Sequence, residues 1–145
     1  MPQAQRVVLI SRPVDEVFAF FTDTANDSRW RSHVKEISAA SPFGVGTRIH
    51  QVVAGPGGRG VPADIEVTDY QPPVRYAFHG VAGPVRPLGE FQFASVDGGT
   101  QVSFSLTAKL SGIKKFLMSK PVQKSMDGEM AALDTAKGLI ETAGG

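Results

Sequence analysis

A chain of 145 residues and 15.4 kDa has room for one compact domain, and at this length a fold buries roughly 68–70% of its unfolded surface. Its 41% apolar and 20% charged residues are those of a globular protein, and the absence of cysteine excludes a disulfide framework, a thiolate nucleophile and a Cys-ligated metal. A net charge of +1 supplies no field to recruit nucleic acid or an anionic bilayer. The opening MPQAQRVVLIS lacks the apolar stretch of a signal peptide, and no run is long enough for stable membrane insertion. The expectation is one soluble, cytoplasmic domain over residues 1–145.

The β-branched run Arg6–Ser11 reads as a strand. Val14, Val17, Phe18 and Phe21 then recur at helical spacing, with Pro13 suited to the first turn and Asp15 and Glu16 opposing the positive end of the helix dipole. A second short helix is predicted over Thr24–Trp30, capped by Asp23 or Thr24. A series of strands follows: His33–Ala40, Thr47–Ala54, Pro62–Tyr70, Val74–Gly80, Gly89–Val96 and Thr100–Leu110. They are punctuated by Ser41–Gly44, Gly55–Gly60, Gln71–Pro73, a Gly/Pro-bearing stretch through Leu88, and Asp97-Gly98-Gly99. Connections this short make neighbouring strands antiparallel. The last third is helical: Ile113, Phe116 and Leu117 suggest a turn or two, and Val122, Met126, Met130, Leu133 and Ile140 form an apolar stripe. Pro121 predicts a break near Ser119–Pro121, and Ala143-Gly144-Gly145 reads as a frayed tail.

Alternation orients the sheet. Val102, Phe104 and Leu106 alternate with polar neighbours, as do Phe91 and Phe93, Ile65 and Val67, and Tyr76 and Phe78. One face is therefore apolar and the other wet. The sizeable amphipathic element left to cover the apolar face is the C-terminal helix. A helix is about 10–12 Å across, whereas seven strands at about 4.8 Å spacing are far wider. The predicted class is α+β: a helix-grip fold with a curved seven-stranded antiparallel sheet around a long C-terminal helix, two short helices lying between the first two strands. The width mismatch implies an apolar cavity unless aromatic side chains fill it. Alternate connections share an end, so the loops Gly55–Val61 and Val81–Leu88 and the Ser111–Gly112 passage form one rim. There Arg59 and Arg86 are available to an acidic ligand group.

Catalytic and metal signatures are weak. Gly44-Val45-Gly46 and Gly55–Gly60 lack the Gly-Lys-Ser/Thr ending of a phosphate loop and read as hairpin loops. His33, His50 and His79 lack metal-ligand spacing, no nucleophile elbow is present, and Asp64 and Glu66 point to water on the alternation argument. Tyr76 and Gln51 fall on the apolar face, where each needs a hydrogen-bond partner from protein, water or ligand. Tyr76 is the one inward ionisable candidate.

The element order resembles the Bet v 1-like superfamily, also called START-like or SRPBCC, and within it the polyketide cyclase/dehydrase-like branch of small bacterial proteins. The supporting residues are Ile10-Ser11-Arg12-Pro13-Val14-Asp15-Glu16-Val17-Phe18, Trp30, Gly44-Val45-Gly46-Thr47-Arg48, Glu66 through Phe78, and Gly99-Thr100-Gln101-Val102. The resemblance covers nearly the whole chain and implies a hydrophobic ligand held between sheet and long helix. No catalytic signature carries over. The function expected is binding or transport of a lipid, isoprenoid or aromatic metabolite, without cofactor or metal, by a monomer or homodimer. The lining set is Gln51, Ile65, Val67, Tyr76, Phe78, Phe91, Phe93, Phe104, Leu117, Met126 and Met130. The alternatives are a polyketide cyclase or aromatase, which needs an ionisable group inside, and a protein-interaction module resembling chaperone activators.

Overall fold

The computed structural model describes residues 2–39, 43–83, 85–110 and 112–143, with residues 56 and 113–116 described by backbone alone. The order is β1 (Gln3–Ile10), α1 (Val14–Thr22), a 3-10 turn (Thr24–Asn26), α2 (Asp27–Trp30), β2 (Val34–Ala39) and β3 (Arg48–Ala54). A second 3-10 turn (Pro56–Gly58) leads to β4 (Gly60–Pro62), β5 (Ile65–Gln71), β6 (Arg75–Gly80), β7 (Leu88–Val96), β8 (Gly99–Thr107) and α3 (Gly112–Ala143). The strands lie in the order β1-β8-β7-β6-β5-β3-β2, with short β4 added to β3, and the pairs are antiparallel. The fold is the α+β helix grip.

Local chemistry sets the elements. Pro13 enters α1 with an extended backbone, Asp15 and Glu16 occupy the first turn, and Val17, Phe18 and Phe21 form the buried face. The Asp23 carboxylate accepts from the Ala25 N–H and caps the turn before α2. The β7–β8 register pairs Val96 with Gly99, leaving Asp97-Gly98 as a two-residue turn in which Gly98 has φ +84°, a conformation suited to a residue without Cβ. In β8, Val102, Phe104 and Leu106 are buried and face the side covered by α3.

α3 buries Val122, Met126, Met130, Leu133, Ala136 and Ile140 and runs alongside β1, the sheet edge. Gln123 bonds both backbone groups of Gln3 (3.1 and 2.7 Å), Arg6 meets Asp134 at 2.7 Å, Lys137 donates to the Leu9 carbonyl, and Glu141 accepts from the Ser11 N–H at 2.8 Å. Side chains of the helix thus occupy backbone groups of an open edge that would otherwise invite another strand.

Three features differ from the sequence reading. The helix is continuous through Pro121. Pro121 is exposed, so its ring stands on the water-facing side of the helix, where its missing N–H costs one bond without breaking the helix. The strand expected over Pro62–Tyr70 divides into β4 and β5. Around the division Ala63 N–H donates to the Gln51 carbonyl at 2.9 Å and Asp64 accepts from the Gln51 N–H at 3.2 Å. Asp64 is thereby largely buried and within 2.9 Å of His50 Nδ1, rather than turned to water. The last strand stops at Thr107, short of Leu110. The expectations for Ala40, Ser41, Pro42, Ser111, the side chains of Ile113 and Phe116, and Gly144-Gly145 lie outside the described residues.

Gly89 shows how tightly the concave face is fitted. It pairs with Phe78, and a Cβ at position 89 would lie 2.1–2.6 Å from the Phe78 ring. Gly89→Ala should cost about 1–3 kcal/mol through overpacking. The double variant with Phe78→Leu should recover part of that loss in urea denaturation. Additive losses would show that the ring is not what Gly89 accommodates.

Candidate ligand-binding site

Register builds the apolar half of the site. Tyr76, Phe91 and Phe104 occupy one row across β6, β7 and β8. Their rings stack nearly parallel, with centroids 5.4 and 4.0 Å apart. The helices between β1 and β2 approach the same surface: Phe21 lies 5.2 Å from Phe91 and 5.4 Å from Trp30, and Phe18 lies 5.2 Å from Phe93. Phe43, entering before β3, packs on Tyr76 and Tyr70 at 5.6 Å each. Ile65, Val67, Phe78, Met126 and Met130 belong to the same buried cluster. Leu117 does not: it is 63% exposed, because the helical stripe that turns Val122 and Met126 inward leaves it on the outer side. The contacting rings fill much of the span in which a cavity was expected. Two shallow recesses, of about 310 and 290 Å³, open instead on the wet side and edge of the sheet, lined by residues such as Arg75, Gln92, Gln101 and Ser103 and by Gln3, Gln5, Ser105 and Thr107. Neither is lined by the stacked row.

The polar half is centred on Arg31, just beyond α2. Its Nε and Nη2 grip both oxygens of Glu129 on α3, each at 2.9 Å in its closer contact. Its Nη1 donates to Asp27 at 3.0 Å and to the Gln51 side-chain oxygen at 3.1 Å. Gln51 in turn donates to the Ala63 carbonyl at 2.9 Å, so its amide is engaged at both ends by protein. His33 Nε2 contacts Glu129. The Arg31 guanidinium also lies 5.9 Å over the Trp30 ring, within cation–π range. Arg31, Gln51 and Glu129 are all buried.

Burial and charge move these groups in different directions. Desolvation raises Asp27 from its ordinary 3.8 to about 6, against the opposing pull of Arg31. Desolvation also pushes Glu129 upward, but Arg31 and His33 outweigh it and hold the carboxyl at about 2. Burial raises the Tyr76 phenol well above its usual 10, and the charges of Asp27, Arg31 and Glu129 act on it as well. Tyr76 therefore sits where the apolar row meets the ionic cluster. Among the described residues no set of three or more His, Asp or Glu side chains gathers as metal ligands.

Tyr76 is thus not the sole inward ionisable residue; Asp27, Arg31 and Glu129 join it. Signals for them are present in the sequence. Glu129 falls three residues after Met126 and four before Leu133, in phase with the apolar stripe, and Asp27 and Arg31 stand four apart. A carboxylate inside an apolar stripe points to a buried partner.

A family model described as "Polyketide cyclase / dehydrase and lipid transport" matches residues 1–137. The chain belongs to this family. Among curated proteins, none matches. Solved structures share the family's fold at low identity. TTHA0849 from Thermus thermophilus is 22% identical with a TM-score of 0.82, over 99% of this chain and 100% of that one. The di-domain ARO/CYC StfQ from the steffimycin biosynthetic pathway is 12% identical with a TM-score of 0.79, over 98% of this chain and 52% of that one. Ara h 8.0201 is 12% identical with a TM-score of 0.74, over 97% of each chain. In this family member no helix among the described residues is long and apolar enough to cross a membrane.

The charges of the cluster make two of its members testable. Glu129→Gln removes one of the two carboxylates facing the buried Arg31 guanidinium and leaves Asp27 as its charged partner, so it should cost about 1–3 kcal/mol in chemical denaturation. Asp27→Asn keeps an acceptor for Arg31 but removes a titration. A carboxyl with a raised folded pKa favours folding fully below its unfolded value, and that advantage is lost as pH climbs through about 6. The variant should therefore gain on the wild type between pH 4 and pH 7.5, by no more than about 3 kcal/mol. An unchanged difference across that range would remove Asp27 as a titrating group.

Proposed function

We propose that this protein binds or carries a small hydrophobic molecule, a lipid, isoprenoid or aromatic metabolite, between the concave sheet face and α3. The observation that carries the reading is how the helix meets the sheet. The α3 backbone runs close to β1 and α2, whereas the central strands present long side chains, Tyr76, Phe78, Phe91 and Phe104, in one buried cluster with Met126 and Met130. Rings and thioethers can change rotamer to admit a guest without moving backbone, and methionine is the most adaptable apolar side chain for that purpose. The family's description includes lipid transport, which agrees. The reading involves no cofactor and no nucleic acid, and takes the protein as a cytoplasmic monomer or homodimer.

A second reading, cyclisation of a polyketide-like chain, is favoured by Asp27. A carboxyl with a pKa of about 6, beside Arg31 and close enough to Tyr76 to affect its charge, exchanges protons near neutral pH. Loss of turnover in Asp27→Asn with retained binding distinguishes this reading from carriage alone.

The test of the binding reading is native mass spectrometry of gently purified protein. One equivalent of a small hydrophobic adduct is expected. Met130→Trp, which fills the interior, should weaken binding at least about ten-fold, a change of about 1.4 kcal/mol. Ser103→Trp, in the outer recess, should leave it unchanged. Binding sensitive to Ser103 and indifferent to Met130 would move the site to the other face of the sheet.

A further inference from the structure

The polar end of the interior holds a hydrogen-bond donor without a partner among the described residues. Trp30 is 4% exposed, and its indole Nε1–H is buried without a partner. Buried polar groups are normally paired, so this idle N–H beside the ionic cluster calls for an acceptor that the described residues do not provide.

The charges around it restrict what that acceptor is. α2 and its end contribute Asp27 and Arg31, the segment before β2 contributes His33, β3 contributes Gln51, and α3 contributes Glu129; Asp23 acts on Asp27 from the preceding turn. Arg31 is the one fixed cation among these residues, and it is already held. Its Nε and both Nη1 hydrogens go to Glu129, Asp27 and Gln51, and Nη2 returns to Glu129. Two carboxylates therefore face one engaged guanidinium. A third carboxylate brought into this low-dielectric space meets repulsion and no free cation. Arg59 and Arg86 are exposed on the rim loops, where they attract an anion to the surface and not to the interior.

Resting on the hydrophobic-ligand reading, we propose that the site selects molecules whose polar group is an uncharged oxygen acceptor, such as a ketone, ester carbonyl or ether. Trp30 Nε1–H receives that oxygen, and the carboxylate of a comparable skeleton is rejected. A neutral oxygen satisfies the donor without adding charge, whereas a hydrocarbon leaves it unpaired.

Trp30 is the chain's one tryptophan, so its fluorescence reports on the site directly. At pH 8, 2-undecanone, undecane and undecanoate are titrated into the full-length protein, with displacement of the neutral dye Nile red as a second readout. The ketone should bind at least ten-fold more tightly than undecanoate and several-fold more tightly than undecane. Trp30→Phe, read by dye displacement, should erase most of the ketone's advantage over undecane. Undecanoate binding as tightly as the ketone overturns the proposal and leaves the hydrophobic-ligand reading standing, as does a ketone advantage that survives Trp30→Phe. If none of the three binds, the hydrophobic-ligand reading fails and the proposal fails with it.

Discussion

Width governs this fold. Seven antiparallel strands at about 4.8 Å spacing make an apolar face much broader than one helix of about 10–12 Å can cover. The chain meets that constraint unevenly. α3 is held to the β1 edge by Gln123, Asp134, Lys137 and Glu141, which leaves the middle of the sheet to be covered by side chains. Phe18 and Phe21 of α1, Trp30 of α2 and Phe43 supply rings from the other flank. The interior is consequently large side chains meeting large side chains, a type of packing that adjusts through rotamers more readily than backbone packed on backbone.

The Arg31–Glu129 pair fixes how the two flanks of the cover meet. It joins the end of α2 to the middle of α3 and takes in Gln51 of β3, so three elements remote in sequence share one set of charge-assisted bonds. Such a pair contributes little net stability compared with apolar packing, because both charges must be desolvated. Its distinctive property is geometric: a bidentate guanidinium–carboxylate contact tolerates little change in orientation. A polar fixture at one end and adaptable rings at the other give the interior a defined direction, with Tyr76 at the boundary.

Most of the architecture is legible in the sequence because the governing signals are local and periodic. Alternation places Val102, Phe104, Phe91 and Tyr76 on one face, the stripe Val122 to Ile140 marks the covering helix, and Asp97-Gly98 marks the hairpin. Features set by tertiary context are less visible. Pro121 reads as a break because its own backbone argues for one, whereas its tolerance depends on which side of the helix faces water. Leu117 reads as interior on residue type, although its phase relative to Met126 leaves it exposed. The ionic cluster escapes any reading that assigns charged residues to the wet side by default. Glu129 falls on the apolar stripe all the same, and a two-way choice of inside or outside leaves no place for a pair that is inside and charged.

That last point bears on chemistry as well as on sequence reading. A fully apolar interior would hold a guest by surface area alone and would discriminate poorly among molecules of similar size. An interior lined by free cations would favour fatty acids and similar anions. Here the cation is internally compensated, Asp27 stays close enough to neutrality to exchange a proton near pH 6, and the idle indole N–H of Trp30 is neutral. If a neutral ligand oxygen meets that N–H, discrimination rests on a hydrogen-bond donor and not on net charge. Arg31 ties the end of α2 to α3 and keeps its own charge engaged, so its removal should alter the interior mainly through the position of Trp30.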